Sequence, residues 1–182
     1  MERGIDFLKS QINNAVMQHQ TFLDNLIAHE RQAEDLRFRD LCARFIPKAA
    51  AHQQMLEDYQ QELGAEAGAG KKLLGKALGV ARDLADSARL DDFLRLVGDI
   101  VEADQSEDTF RTFRDAGRQL GSERLAQIGD RAEREHDEFS REANRLCTQM
   151  FVERVRAGDT TGLNLGAPTS TTTGTATDGL TV

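Results

Sequence analysis

Three of the four histidines in the chain, His19, His52 and His136, occupy positions where a helical stripe calls for an apolar residue. His19 falls between Val16 and Leu23, His52 between Ala49 and Leu56, and His136 between Ala132 and Phe139, at steps of three and four. An inward imidazole is either a hydrogen-bonded core residue or a metal ligand. Glu133-Arg134-Glu135-His136 adds a carboxylate three residues before an imidazole, so both can reach one ion from adjacent turns of a helix. Asp104 and Glu107 lie on the inward side of the helix expected to face His136. The candidate metal ligands are therefore His19, His52, Asp104, Glu107, Glu133 and His136. Carboxylate oxygen mixed with imidazole nitrogen suits iron or manganese, with zinc a further candidate, and no thiolate joins the cluster. His29 and Glu30, at the edge of a stripe with acids nearby, read as a solvated face.

The elements that must position these residues are long amphipathic helices. Ile5, Leu8, Ile12, Ala15, Val16, Phe22, Leu23, Leu26 and Ala33 trace one stripe, which predicts a first helix over about 4–34. Leu41, Phe45, Ala49, Leu56, Tyr59 and Leu63 trace a second, with a soft break expected between Asp35 and Asp40. Gly64 to Gly70 reads as a loop and Lys71 to Ala88 as a short amphipathic piece weakened by Gly75 and Gly79. A third stripe runs from Leu90 through Phe93, Val97, Ile100, Val101, Phe110 and Phe113. Gly121-Ser122 then closes one helix and offers an N-cap to the next, whose stripe is Leu125, Ile128, Ala132, Phe139, Ala143, Leu146 and Met150. Two hairpins joined by roughly 25 residues predict an all-α four-helix bundle with one long crossover between helices 2 and 3. If the hairpins turn near Arg37 and Gly121, His19 and His52 face each other within one helical turn, and His136 lies level with Glu107. In that connectivity Cys42 and Cys147 lie near the same end of the bundle, as reduced thiols.

Composition removes several classes of function. In 182 residues there are 31 acids against 23 bases, a net charge of −8, and arginines alternate with acids, as in Arg131, Glu133, Arg134, Glu135. Nucleic acid, which is gripped by clustered bases, is disfavoured, and this alternation reads as a solvated surface. Two cysteines make no disulfide framework, and no run of about 18 apolar residues spans a membrane. The expectation is a cytoplasmic protein with one domain over 1–157. Gly158 to Val182 holds no Lys or Arg and is rich in Thr and Gly, which predicts a flexible tail.

On the hairpin layout, on His29-Glu30-Arg31-Gln32-Ala33-Glu34-Asp35-Leu36 and His52-Gln53-Gln54-Met55-Leu56-Glu57, and on Glu133-x-x-His136, residues of about 10–150 resemble the ferritin-like four-helix superfamily, in its small bacterial stress-protein branch. The resemblance implies a non-haem iron site, ferroxidase-type activity and a homo-oligomer. The family holds two irons with a Glu from each of two helices and a Glu-x-x-His from each of the others. Here only Glu133 and His136 keep that motif; Ala49 stands where the second helix would have its Glu, and the first helix offers His19. A single-metal site, a histidine-richer variant, a site completed across an oligomer interface and a site that survives only as core are all compatible with this departure. The tail, ending Asp178-Gly179-Leu180-Thr181-Val182, resembles the loading peptides of encapsulin cargo, which implies an encapsulin shell as partner through Leu180, Thr181 and Val182 and a place inside a protein nanocompartment. The alternative function is a metal-free helical interaction or stress protein with a vestigial ferritin-like core.

Overall fold

A computed structural model describes residues 3–65 and 91–158. These form four helices: α1 (Gly4–Gln32), α2 (Leu36–Glu62), α3 (Asp92–Leu120) and α4 (Glu123–Ala157). No strand occurs among the described residues, and none of their helices is long and apolar enough to cross a membrane. The expected Gly64 to Gly70 loop beyond Ala65, the Lys71 to Ala88 piece and the tail beyond Gly158, with its Leu180 to Val182 tip, lie outside the described residues.

The helix ends follow local chemistry. Asp35 caps α2 by accepting from the amides of Arg37 and Phe38, and Asp91 caps α3 by accepting from Leu94. The break between the first two helices is thus earlier and tighter than the expected Asp35 to Asp40 segment. The reason is a tie from a third helix: the Asp92 carboxylate accepts from the amides of Glu34 and Asp35 at 2.6 and 2.7 Å. Gly121 closes α3 in the left-handed conformation at φ 68°, where a Cβ would be strained. Ser122 does hold the N-cap position of α4, but its side chain makes no capping bond.

Cross-helix pairs give the directions. Asn25 meets Glu102, His29 meets Asp99, and the Glu34 amide meets Asp92, so α1 and α3 are antiparallel. Arg37 meets Glu153, Arg44 meets Glu142, Lys48 meets Glu138 and Arg124 meets Glu62, so α2 and α4 are antiparallel too. With α1–α2 and α3–α4 packed as hairpins, α2 and α3 must run the same way. Lys9 Nζ donates to the Gly64 carbonyl at one end of α1, while Asp92 sits past its other end, about 37 Å away at 1.5 Å per residue. The chain between Ala65 and Asp91 therefore connects opposite ends of the bundle. Cys42 and Cys147, both free thiols, lie between the Arg37 and Arg44 rungs at the same end and join one apolar cluster.

The core is two apolar clusters. One gathers Phe22, Leu26, Phe38, Phe45, Leu96, Phe139 and Leu146 toward the α1–α2 turn. The other gathers Ile12, Leu56, Tyr59, Phe110, Phe113, Leu125 and Ile128 toward the opposite end. Beside the second cluster α3 and α4 approach closely over glycine: a Cβ on Gly129 would lie 2.3 Å from Arg114 N and 2.5 Å from Phe110 O. Backbone cannot yield as a side chain end can. Gly129→Ala is therefore expected to cost about 1–3 kcal/mol of stability in urea titration. Gly98→Ala, at a helical position with nothing within 4 Å of the added Cβ, is expected to raise stability by about 0.5–1 kcal/mol. Equal effects from the two substitutions would refute this packing.

Candidate metal centre

Between the two apolar clusters lies one polar layer. His19 on α1, His52 on α2 and His136 on α4 meet there with ring centroids 5.8, 5.3 and 5.1 Å apart, and each is 2% exposed or less. Their convergence follows from the stripes: each replaces an apolar residue at the point where its helix faces the axis. α3 closes the fourth side with an apolar ring. Phe110 stands 5.6, 6.0 and 5.1 Å from the rings of His19, His52 and His136. Phe22, Phe45 and Phe139 cover the layer from the side of the α1–α2 turn.

Each imidazole is held by one nitrogen. His19 Nδ1 lies 3.1 Å from Gln53 Oε1, and the Gln53 amide is oriented by its own Nε2–H, which donates to Glu57 at 2.8 Å. His52 Nε2 lies 2.6 Å from Glu135 Oε2, and His136 Nδ1 lies 2.8 Å from the carbonyl of Ala132. All three partners are acceptors, so the bonded nitrogens must be the N–H donors, and the tautomers follow from that. The lone pairs are then on His19 Nε2, His52 Nδ1 and His136 Nε2. Among the described residues these same three atoms are the buried side-chain nitrogens or oxygens without a hydrogen-bond partner.

One nitrogen from each ring lies within 4.8 Å of the others. Tetrahedral ligation at 2.0–2.1 Å needs nitrogens about 3.4 Å apart, so the rings would close by roughly an ångström on an ion. Carboxylate, amide oxygen and backbone carbonyl behind the ligating rings are the partners that orient histidines at metal sites. Burial, the largest cause, pulls His19 down to about 4 and His52 to about 3; His136 is held well below the usual imidazole range. At neutral pH all three are neutral, so the contact of His52 with Glu135 is an N–H donated to a carboxylate and not an ion pair.

The carboxylates of the expected ligand shell do not join this group. Glu133 is bonded by Arg111 and Arg114, and Glu107 also by Arg111. Asp104 is exposed and accepts from Ser140 Oγ at 2.7 Å. Thus Glu133-x-x-His136 points its two side chains apart, because α3 presents arginines to the Glu. Two solvated-face readings are corrected as well. His29 Nδ1 lies 2.8 Å from Oδ2 of the buried Asp99, and Glu135, placed in an Arg/Glu alternation, turns inward to His52. Periodicity marks Phe110 only as a stripe residue, and nothing in it ties Gln53 or Glu135 to the triad; the i, i+4 pair Gln53 and Glu57, and the adjacency of Glu135 to His136, are the local signals for those two.

No family model, no curated protein and no solved structure matches the chain.

The buried histidines carry a pH signature. Unfolded imidazoles bind a proton near 6.5, whereas in the folded state His19 does so only near 4, His52 near 3 and His136 well below the usual range, so on acidification below 6.5 the unfolded state holds more protons and stability falls. Three such groups tend toward about 4 kcal/mol per pH unit. Buried acids oppose them: Asp99 is pushed up by burial, and Glu102 is pushed up to about 6, so each favours the folded state as it takes its proton. Denaturation of the metal-free protein from pH 7 to 4.5 is expected to show a net loss of stability on acidification. Glu102→Gln, which removes one opposing proton, should steepen that loss by up to about 1.4 kcal/mol per pH unit between pH 6 and 4.5. A flat profile in both proteins would refute the neutral, buried triad.

Proposed function

We propose that this chain is a metal-binding four-helix bundle of ferritin-like connectivity, in which His19, His52 and His136 hold one ion. The observation that carries the reading is the set of three buried nitrogens without a partner. Each unsatisfied acceptor costs about 1–3 kcal/mol. A water in their midst could donate only two hydrogens, leaving one lone pair unmet, whereas a single cation accepts all three. Zinc, copper, nickel and iron all suit imidazole.

The carboxylates that a diiron oxidation centre would need are engaged elsewhere: Glu133 and Glu107 by arginine, Asp104 by Ser140. The reading is therefore a single-ion site and not a ferroxidase pair. The metal-free interaction protein is the second reading, and the close ring packing of the triad, with centroids 5.1–5.8 Å apart, is what favours it. Docking of the Leu180 to Val182 tip into an encapsulin-type shell is the sequence-borne part of the proposal.

Full-length protein titrated anaerobically with Fe(II), Co(II), Zn(II) or Cu(I) is expected to take up one equivalent of at least one ion. Its melting temperature should rise with free metal, in line with about 2.7 kcal/mol at a hundredfold excess over Kd. His136→Ala and, as a milder change, His52→Gln should lose this binding while keeping a helical spectrum. If none of the four ions binds, the metal reading falls and the interaction protein stands. Separately, a co-expressed encapsulin-type shell should capture the protein and lose it on Leu180→Asp with Val182→Asp; equal capture would refute docking.

A further inference from the structure

We propose that the ion this triad is built for is Cu(I), held by three nitrogens, with Glu135 as the one carboxylate that balances its charge. The inference rests on the metal-binding reading above and narrows it.

Ligand number is the first ground. α1, α2 and α4 each supply an imidazole to the layer, and at the same level α3 supplies Phe110, 5.1 Å from the ring of His136. Among the described residues, the group of ligand-type side chains that converges has three members. A divalent ion on three protein ligands keeps a water or hydroxide in a fourth position. That water would need acceptors for its hydrogens, and the rings packed against the imidazoles are those of Phe22, Phe45 and Phe110, with Phe139 behind Phe22 and Phe45. A monovalent d¹⁰ ion is content with three nitrogens and no water.

Charge is the second ground. The cost of moving an ion into a low-dielectric interior grows with the square of its charge, so a dication pays about four times what a monocation does before any compensation. Compensation is limited here. Glu133 and Glu107 are drawn to Arg111 and Arg114 and make no bond to the triad. Glu135 is the acid that faces the triad, through its 2.6 Å bond from His52 Nε2–H, and its arginine neighbour Arg131 is half exposed and 3.4 Å from the other oxygen. Shared with the half-exposed Arg131, Glu135 supplies at most one negative charge beside three neutral rings, which can balance a monocation and leaves a dication uncompensated. The absence of carboxylate from the ligand set also removes the donor type that iron(III) and manganese favour.

The test uses full-length protein under anaerobic reducing conditions, with Cu(I) delivered against the chromogenic chelator bicinchoninate. One equivalent of Cu(I) should be withheld from the chelator, X-ray absorption should give three nitrogen neighbours, and an approximately tenfold excess of Zn(II) or Fe(II) should leave the copper in place. Glu135→Gln keeps an acceptor for His52 but removes the charge; it should weaken Cu(I) binding by about 10–100-fold with helicity unchanged. Displacement of Cu(I) by Zn(II) or Fe(II), or a fourth ligand in the absorption spectrum, would overturn the Cu(I) assignment while leaving the metal-binding reading intact. Unchanged Cu(I) affinity in Glu135→Gln would overturn the role of Glu135. Failure of every ion to bind would instead remove the metal-binding reading itself.

Discussion

Three buried imidazole lone pairs with nothing to accept from are the feature around which this bundle is organised. A core made of leucine and phenylalanine can shift by small repacking, but a polar layer within it cannot, because every atom in it must be accounted for. Gln53, Glu135 and the Ala132 carbonyl fix the far side of each ring. They thereby decide which nitrogen faces the axis. The result is unequal: His19 and His136 offer Nε2 and His52 offers Nδ1, since His52 alone is held through its Nε2.

Bringing three helices to one level requires the observed directions. α1 runs against both α2 and α3, and α2 against α4, so each hairpin places its members at matching heights on either side of the axis. The rungs of Arg37 with Glu153, Arg44 with Glu142 and Lys48 with Glu138 step along α2 toward His52 and set its height against His136. Such exposed pairs add little energy. Their value here is in register: the next rung in the series runs from the partly buried Glu135 to the buried His52. Close contact of α3 with Gly129 of α4 brings Phe110 into the layer as its apolar wall.

Much of this was legible in the sequence, and the reason is periodicity. A histidine three or four residues from apolar neighbours on both sides faces the axis, which is why His19, His52 and His136 stand out together. The four helices and the turns after α1 and α3 follow from where stripes end. What periodicity cannot supply is the neighbour across the groove. Glu133 shares a helix face with His136, yet Arg111 and Arg114 on α3 claim its carboxylate. Glu135 looks solvated when read along α4, and only the partner helix turns it inward. His29 was misread for the same reason, since Asp99 is 70 residues away in the chain.

Burial gives the site a double character. Removing the rings from water costs the metal-free protein three unsatisfied acceptors, and the same removal holds His19 and His52 neutral far below pH 7. Metal binding to histidine ordinarily competes with protons. Here that competition has already been settled by folding, so an ion arriving at neutral pH meets free lone pairs. The free energy released by a bound ion would go into the packed state that presents them, because an unfolded chain scatters the three residues over 117 positions of sequence and offers no such set. The polar layer that weakens the empty bundle is thus the same layer through which a bound ion would join α1, α2 and α4.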